Sequence, residues 1–361
     1  MTPWSHAQIG TVGKRHAGSD FATYLDGQAL AAQARTALGP VWPGVLLVGM
    51  IVAAAFGVRQ TPGLSATSPM IVAVVLGAAF RQAVGVPDHA RAGVAFSARR
   101  LLRLGIVLLG LQLTVSQVMA VGAAGIAVLA ACVTGTFAVT VWLGRRLGVE
   151  PGLAELIAGG TSICGASAIV ATNTVTRAPE EDVAYALAAI TLFGSIAMLI
   201  YPLLPGLLGL SPHSYGLWAG ASIHEVAQVV GAGFQAGQQA GEVGTVAKLS
   251  RVAMLAPMVM ALGLLAARRG GRGDGKAPVP WFVLAFLAVV VLNSIVPVPA
   301  ELRAAAGVAT AVLLSMALAA VGLETNVGKL RAKGARPLVL AGLATLFIAG
   351  FSLVLVKTLL T

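Results

Sequence analysis

Apolar residues run along this chain in long blocks, with polar residues confined to short gaps between them. Eleven blocks stand out, at roughly 40–57, 68–84, 101–116, 120–143, 153–175, 183–205, 215–236, 245–267, 279–296, 304–323 and 336–358. A helix rises about 1.5 Å per residue, so about 20 apolar residues cross the hydrocarbon core. The pattern predicts an all-α polytopic membrane protein of about 11 transmembrane helices, the third being short. Residues 1–37 are mixed polar and lack the continuous apolar run of a signal peptide. They predict a cytoplasmic tail with room for an interfacial helix, ahead of one transmembrane domain at 38–358.

Two blocks are interrupted. The first carries Gly159, Gly160 and Gly165 together with Thr161, Ser162 and Ser167, and Cys164 lies among them. Glycine weakens a helix, and hydroxyls compete for its backbone bonds, so this segment predicts a break in mid-membrane. Such a break frees backbone N–H groups that can hold an anion, whereas a close-packed small-residue face is the plainer alternative. The second block places Ser222, His224, Glu225 and Gln228 in an otherwise apolar stretch. Ionisable groups at membrane depth are costly and face a cavity or a partner. Ser222, Glu225 and Gln228 share a helical face, and His224 points about 100° away. The arrangement suits proton exchange, and a fixed interhelical bonding network is the alternative.

Lys248 and Arg251 open the next block. They either reach the polar site or snorkel to the interface, and Arg251 has the fork that pairs with an oxyanion. Asn293, near the outer end of the ninth block, suits substrate contact or helix–helix bonding. Gln112 lies at the outer rim of the third block. Glu324 and Asn326, at the inner end of the tenth, suit an interfacial role.

Composition supports the membrane assignment. Of 361 residues, 57% are hydrophobic and 10% charged, with a mean hydropathy of +0.88. The formal charge of +11 has no aromatic interleaving to suggest nucleic acid. All but six of the 24 Lys and Arg residues fall in alternate gaps, the exceptions being Arg59, Arg177, Lys248, Arg251, Arg303 and Lys357. That asymmetry predicts the N-terminus inside and the C-terminus outside, with Glu180, Glu181 and Asp182 in an outer loop. Opposed termini suit inverted halves at about 68–205 and 215–358, as in many secondary transporters. Gly160-Thr161-Ser162-Ile163 echoes Gly220-Ala221-Ser222-Ile223, but both spans would run in the same direction.

Cys132 and Cys164 form neither a metal site nor a disulfide framework. No nucleotide, zinc-protease or hydrolase motif is present, so no enzyme, ATP or tightly bound cofactor is implied.

Several stretches together resemble the YeiH family of bacterial inner-membrane proteins, classed as sulfate exporters. They are 101–110, 162–169, 215–230, 246–252 and 255–257, and the likeness covers residues 38–358. The resemblance implies a secondary transporter. It draws attention to Ser162, Cys164, Ser167, His224, Glu225, Gln228, Lys248 and Arg251. The expectation is a secondary transporter of a small inorganic or organic anion, sulfate or a sulfonate by the resemblance, with a proton as coupling ion. Residence is expected in the bacterial cytoplasmic (inner) membrane, where a homodimer is compatible. An anion channel or a membrane sensor is the alternative.

Overall fold

Proline and serine open several of the helices. Pro69 follows Ser68, whose hydroxyl accepts from Met70 N at 3.3 Å, and Pro212 follows Ser211, which accepts from Ser214 N at 3.2 Å. A proline in the first turn loses no helical bond, and the serine answers one orphan N–H. A computed structural model describes residues 40–58, 60–61, 67–119, 121–268, 281–296, 298–325 and 333–360. The expected 1–37 tail, Arg59, Asn326 and the basic positions at 269–276 and 329–331 lie outside the described residues.

Regular structure among the described residues is helical throughout. The first helices are α1 (Trp42–Val58), α2 (Pro69–Ala83), α3 (Asp88–Phe96) and α4 (Leu102–Leu109), the last two joined by a π turn at Ser97–Leu101. Then come α5 (Val115–Met119), α6 (Gly122–Arg146), α7 (Pro151–Gly159), a second π turn at Gly160–Cys164, α8 (Ala166–Thr176) and α9 (Glu180–Ile200). After α10 (Pro205–Leu208) follow α11 (Pro212–Ser222), α12 (Val226–Ala236), α13 (Gln238–Ala253) and α14 (Leu255–Arg268). The last are α15 (Trp281–Ile295), α16 (Ala300–Glu324) and α17 (Ala335–Leu359). Among the described residues, five segments are long and apolar enough to cross a membrane: Gly122–Arg146, Glu180–Leu203, Gln238–Leu265, Ala300–Glu324 and Ala335–Leu359. Large apolar side chains such as Leu46, Met50, Leu264 and Leu346 stand exposed on helix surfaces, as lipid-facing positions require. The protein is an all-α polytopic membrane protein.

The helices pack in two groups. In one, α2 lies against α16, α1 against α3, and α4 against both α15 and α16. Glycines allow the closest approaches, since a Cβ at Gly77 would lie 2.3 Å from the Ala319 carbonyl oxygen. The other group holds α6 to α9, α11 to α13 and α17. The groups meet where α12 touches α2 and α16, with Gly231 against Leu318.

Two of the expected spans fold back on themselves within the bundle. In 153–175, the hydroxyl of Thr176 donates to Glu155 Oε2 at 2.8 Å, and Gly152 lies beside Ala178. The start and finish of this segment therefore share one end of the bundle, and α7 and α8 form a re-entrant hairpin. In 215–236, Tyr215 donates to the Ala232 carbonyl at 3.2 Å, so α11 and α12 form a second hairpin. Each helical arm has 9 or 11 residues. Eleven residues rise about 17 Å, little more than half the hydrocarbon core.

The hairpins point toward each other. Helix α9 begins beside the open end of the first hairpin and passes its tip, where Gly160 contacts Ile190. It then meets the second hairpin from the tip outward: Thr191 bonds Glu225, Gly231 lies on Met198, and Tyr201 stacks on Trp218 at 4.0 Å. Asp182, at the start of α9, pairs with Lys333 beside the start of α17 at 2.5 Å. That end also carries Arg145 and Arg146 of α6, so Glu180–Asp182 belongs to the basic end and not to an opposite, outer loop. In the expected halves 68–205 and 215–358, one hairpin falls late in its half and the other opens its half.

Candidate functional site: a basic cleft closed by two hairpin tips

The first tip is built on Gly165. Its φ of 72° and ψ of −124° reverse the chain between the π turn and α8, a left-handed conformation that a Cβ would strain. The second tip is extended, with Ile223 at φ −64°, ψ 143° and Glu225 at φ −108°, ψ 152°. The tips touch, and a Cβ on Gly165 would fall 2.6 Å from Glu225 Cγ.

Both first arms end in mid-bundle with carbonyls that have no helical partner and carry partial negative charge. Two cations from α13 answer them. Arg251 donates to Thr161 O (2.9 Å), Ser162 O (3.1 and 2.6 Å), Gly220 O (2.9 Å) and Ile223 O (3.2 Å). Lys248 donates to Ile163 O at 2.7 Å and Ile223 O at 2.8 Å. Both side chains are fully buried. Neither snorkels, and the guanidinium that was expected to meet an oxyanion instead clasps the two tips together.

The remaining polar residues at the tips divide. His224 turns away from Glu225 to Thr345 of α17, its Nε2 lying 3.2 Å from the hydroxyl, and its Nδ1 has no partner among the described residues. Gln228 is buried, donating to Thr191 O and the Ser195 hydroxyl and accepting from Glu225 N. The Glu225 carboxylate caps the first turn of α12 in a capping box with Gln228 and accepts from Thr191 at 3.3 Å. Ser162 and Ser222 are buried, and their hydroxyls donate back to Gly159 O and Trp218 O. Asn293 lies elsewhere, bonding Leu113 O at 2.9 Å and accepting from Arg303.

A cleft of about 640 Å³ opens between the two helix groups. The hairpin tips supply Cys164, Ala166, Ser167, Glu225 and Val226, and α9 supplies Thr191. The opposite group contributes Arg81, Arg91, Arg99, Arg103, Phe282 and Glu324. Arg103 stacks over Phe282 at 5.7 Å, and Arg91 also pairs with Asp88 at 2.8 Å. Four guanidinium groups against two carboxylates leave the lining net positive. Ser167 and Ala166, in the first turn of α8, are exposed into this space, and α8 has no side-chain cap. Among the described residues no cluster of His, Cys, Asp and Glu is placed to hold a metal ion.

Of the residues picked out in sequence, Cys164, Ser167 and Glu225 reach the cleft. Ser162, His224, Gln228, Lys248 and Arg251 stand behind it, and Asn293 is remote. Sequence reasoning missed Thr191 and the four arginines, which counted only toward the charge asymmetry of the gaps. The recurrence of Arg at 99, 100 and 103, across the start of the apolar block at 101–116, was the available signal.

The family described as Conserved hypothetical protein 698 matches residues 43–341. A UPF0324 membrane protein of Corynebacterium glutamicum is 40% identical over 322 residues, covering 88% of this chain and 92% of that protein. One from Bacillus cereus is 35% identical over 317 residues (86% and 93%), and one from Bordetella pertussis 35% over 329 (87% and 94%). No solved structure matches the chain. These matches overturn the assignment to the YeiH sulfate-exporter family, and the sulfate expectation drawn from it goes with it. The stretches behind that resemblance include the hairpin tips and the α13 brace, which are architecture and name no substrate. The chain belongs to the UPF0324 membrane-protein family.

Proposed function

We propose that this protein is a secondary transporter of a small anion, bound in the cleft between the arginine wall and the hairpin tips. The observation that carries this reading is the net-positive lining of a cleft about 640 Å³ in volume that ends in mid-bundle. Low-dielectric walls strengthen the field of such a cluster and concentrate anions. The uncapped first turn of α8 adds N–H donors at the floor. On this reading the basic end faces the cytoplasm, because Lys and Arg are retained there. The N-terminus is then inside, the C-terminus outside, and the cleft open inward in the bacterial inner membrane.

On the far side, polar contacts tie α2 to α12 and α5 to α13. Ser68 N donates to Gln235 Oε1, and Gln117 donates to Glu242 at 3.2 Å. A cleft open at one end and bridged by contacts at the other suits alternating access, whereas a channel needs one continuous wet path.

The test is equilibrium binding of chloride, nitrate, sulfate and methanesulfonate to purified protein. Changing Arg99 and Arg103 together to Gln should weaken binding of the preferred anion by about 10- to 100-fold, at about 1 kcal/mol or more per lost contact. It should also flatten the dependence on ionic strength. Unchanged affinity in the double variant would remove the arginine wall from the site.

A further inference from the structure

Glu225 presents a carboxylate to the space the anion would occupy. We infer that Glu225 is a tethered competitor of the transported anion, so that the anion binds the cleft floor as Glu225 takes up a proton. The inference rests on the anion-binding reading above and specifies how that site is coupled.

The geometry carries it. Glu225 lines the cleft beside Ser167, Cys164 and Thr191. Its carboxylate accepts from Thr191 and from the backbone of α12, and its Cγ occupies the place left by the missing side chain of Gly165. One carboxylate thus joins both tips and α9 while using donors that face the floor. An arriving anion meets a like charge there. Protonation removes that charge: a proton from cleft water passes to a Glu225 carboxylate oxygen, and the anion takes over the facing cations and donors. One proton then accompanies each anion bound, so a monovalent anion moves without net charge.

The groups around Glu225 are compatible with this exchange. Lys248 and Arg251 of α13 lie behind the tips, committed to carbonyls. Cys164 comes from the first tip and Glu324 from α16, while Arg81, Arg91, Arg99 and Arg103 face the cleft from α2, α3, the π turn and α4. His224, next in the chain, is turned to Thr345 on α17. Of the two carboxylates that line the cleft, Glu225 is the one set on a hairpin tip.

The experiment measures nitrate and methanesulfonate affinity, two anions of fixed charge, from about pH 5 to about pH 8. Linkage to one proton makes wild-type affinity fall about tenfold per pH unit once the carboxylate is ionised. Glu225→Gln should bind with an affinity independent of pH and equal to the wild-type low-pH limit. A Glu225→Gln variant that keeps the wild-type slope would overturn the role of Glu225 while leaving the anion site intact. No binding by either protein at any pH would overturn the anion reading and this inference together. Wild-type protein gives a second readout should the variant fail to fold. Proton uptake on anion binding, measured by calorimetry in buffers of different ionisation enthalpy, should approach one per anion in the upper part of that range, and zero uptake contradicts the proposal.

Discussion

Arg251→Met is expected to destabilise the protein by about 3–5 kcal/mol, the range for removing one partner from a buried charged network. The guanidinium makes five hydrogen bonds to the carbonyls of Thr161, Ser162, Gly220 and Ile223, on two hairpins that enter from opposite ends. Removing it strands carbonyls in a buried interior and releases the side chain that bonds both Ser162 and Gly220. An unsatisfied buried acceptor costs about 1–3 kcal/mol, and partial rescue by Lys248 keeps the total below the sum. Arg251→Lys should fall between, since one ammonium cannot span the same carbonyls. Thermal unfolding in detergent reads the effect, with exposed Arg99→Met as the control expected to melt like wild type. Equal melting temperatures for Arg251→Met and wild type would reject the brace.

Gly165→Val should be the second large lesion, and it acts on the site more than on the bundle. The substitution places a β-branched residue at φ 72°, a genuine outlier costing about 1–3 kcal/mol. Its Cβ would also stand 2.6 Å from Glu225 Cγ, 3.2 Å from its Oε1 and 3.4 Å from its Cδ. Glu225 must therefore leave its seat between the tips. The expected result is a protein that still reaches the membrane, melts lower, and has lost the pH dependence of anion binding. A variant with the wild-type pH profile would show that the tip contact does not hold Glu225.

The helical class and nearly every apolar segment were legible in the sequence, because apolar blocks separated by charged gaps report directly on lipid exposure. The hairpins were not. Residues 153–175 have the length of a crossing helix, and the fact that turns them back is a bond from Thr176 to Glu155, visible only in three dimensions. The Gly165 break was signalled by glycines and hydroxyls, but a break alone does not say whether the chain continues or returns. The echo of Gly160-Thr161-Ser162-Ile163 in Gly220-Ala221-Ser222-Ile223 gains meaning once the hairpins are seen to oppose each other. Both tetrapeptides end a first arm, and both supply carbonyls to Lys248 or Arg251.

The roles of the charged residues were partly inverted by sequence logic. A deep arginine followed by an apolar helix invites an anion contact, and Arg251 has the right chemistry for one. It is committed instead to helix C-termini, whose partial charge is invisible until the chain is known to stop there. Arg99 and Arg103 counted only among the basic residues at the inner end of a short block, yet the π turn at Ser97–Leu101 and the packing of α4 set them along the cleft.

The central claim is that an anion binds between the arginine wall and the hairpin tips and is carried across by alternating access. Counterflow in proteoliposomes tests it most directly, with vesicles preloaded with unlabelled nitrate or methanesulfonate and labelled anion added outside. The account predicts transient accumulation of label above its external concentration, abolished when Arg99 and Arg103 are both changed to Gln. Label that only equilibrates down its gradient, or no exchange with any anion in the set, would contradict it.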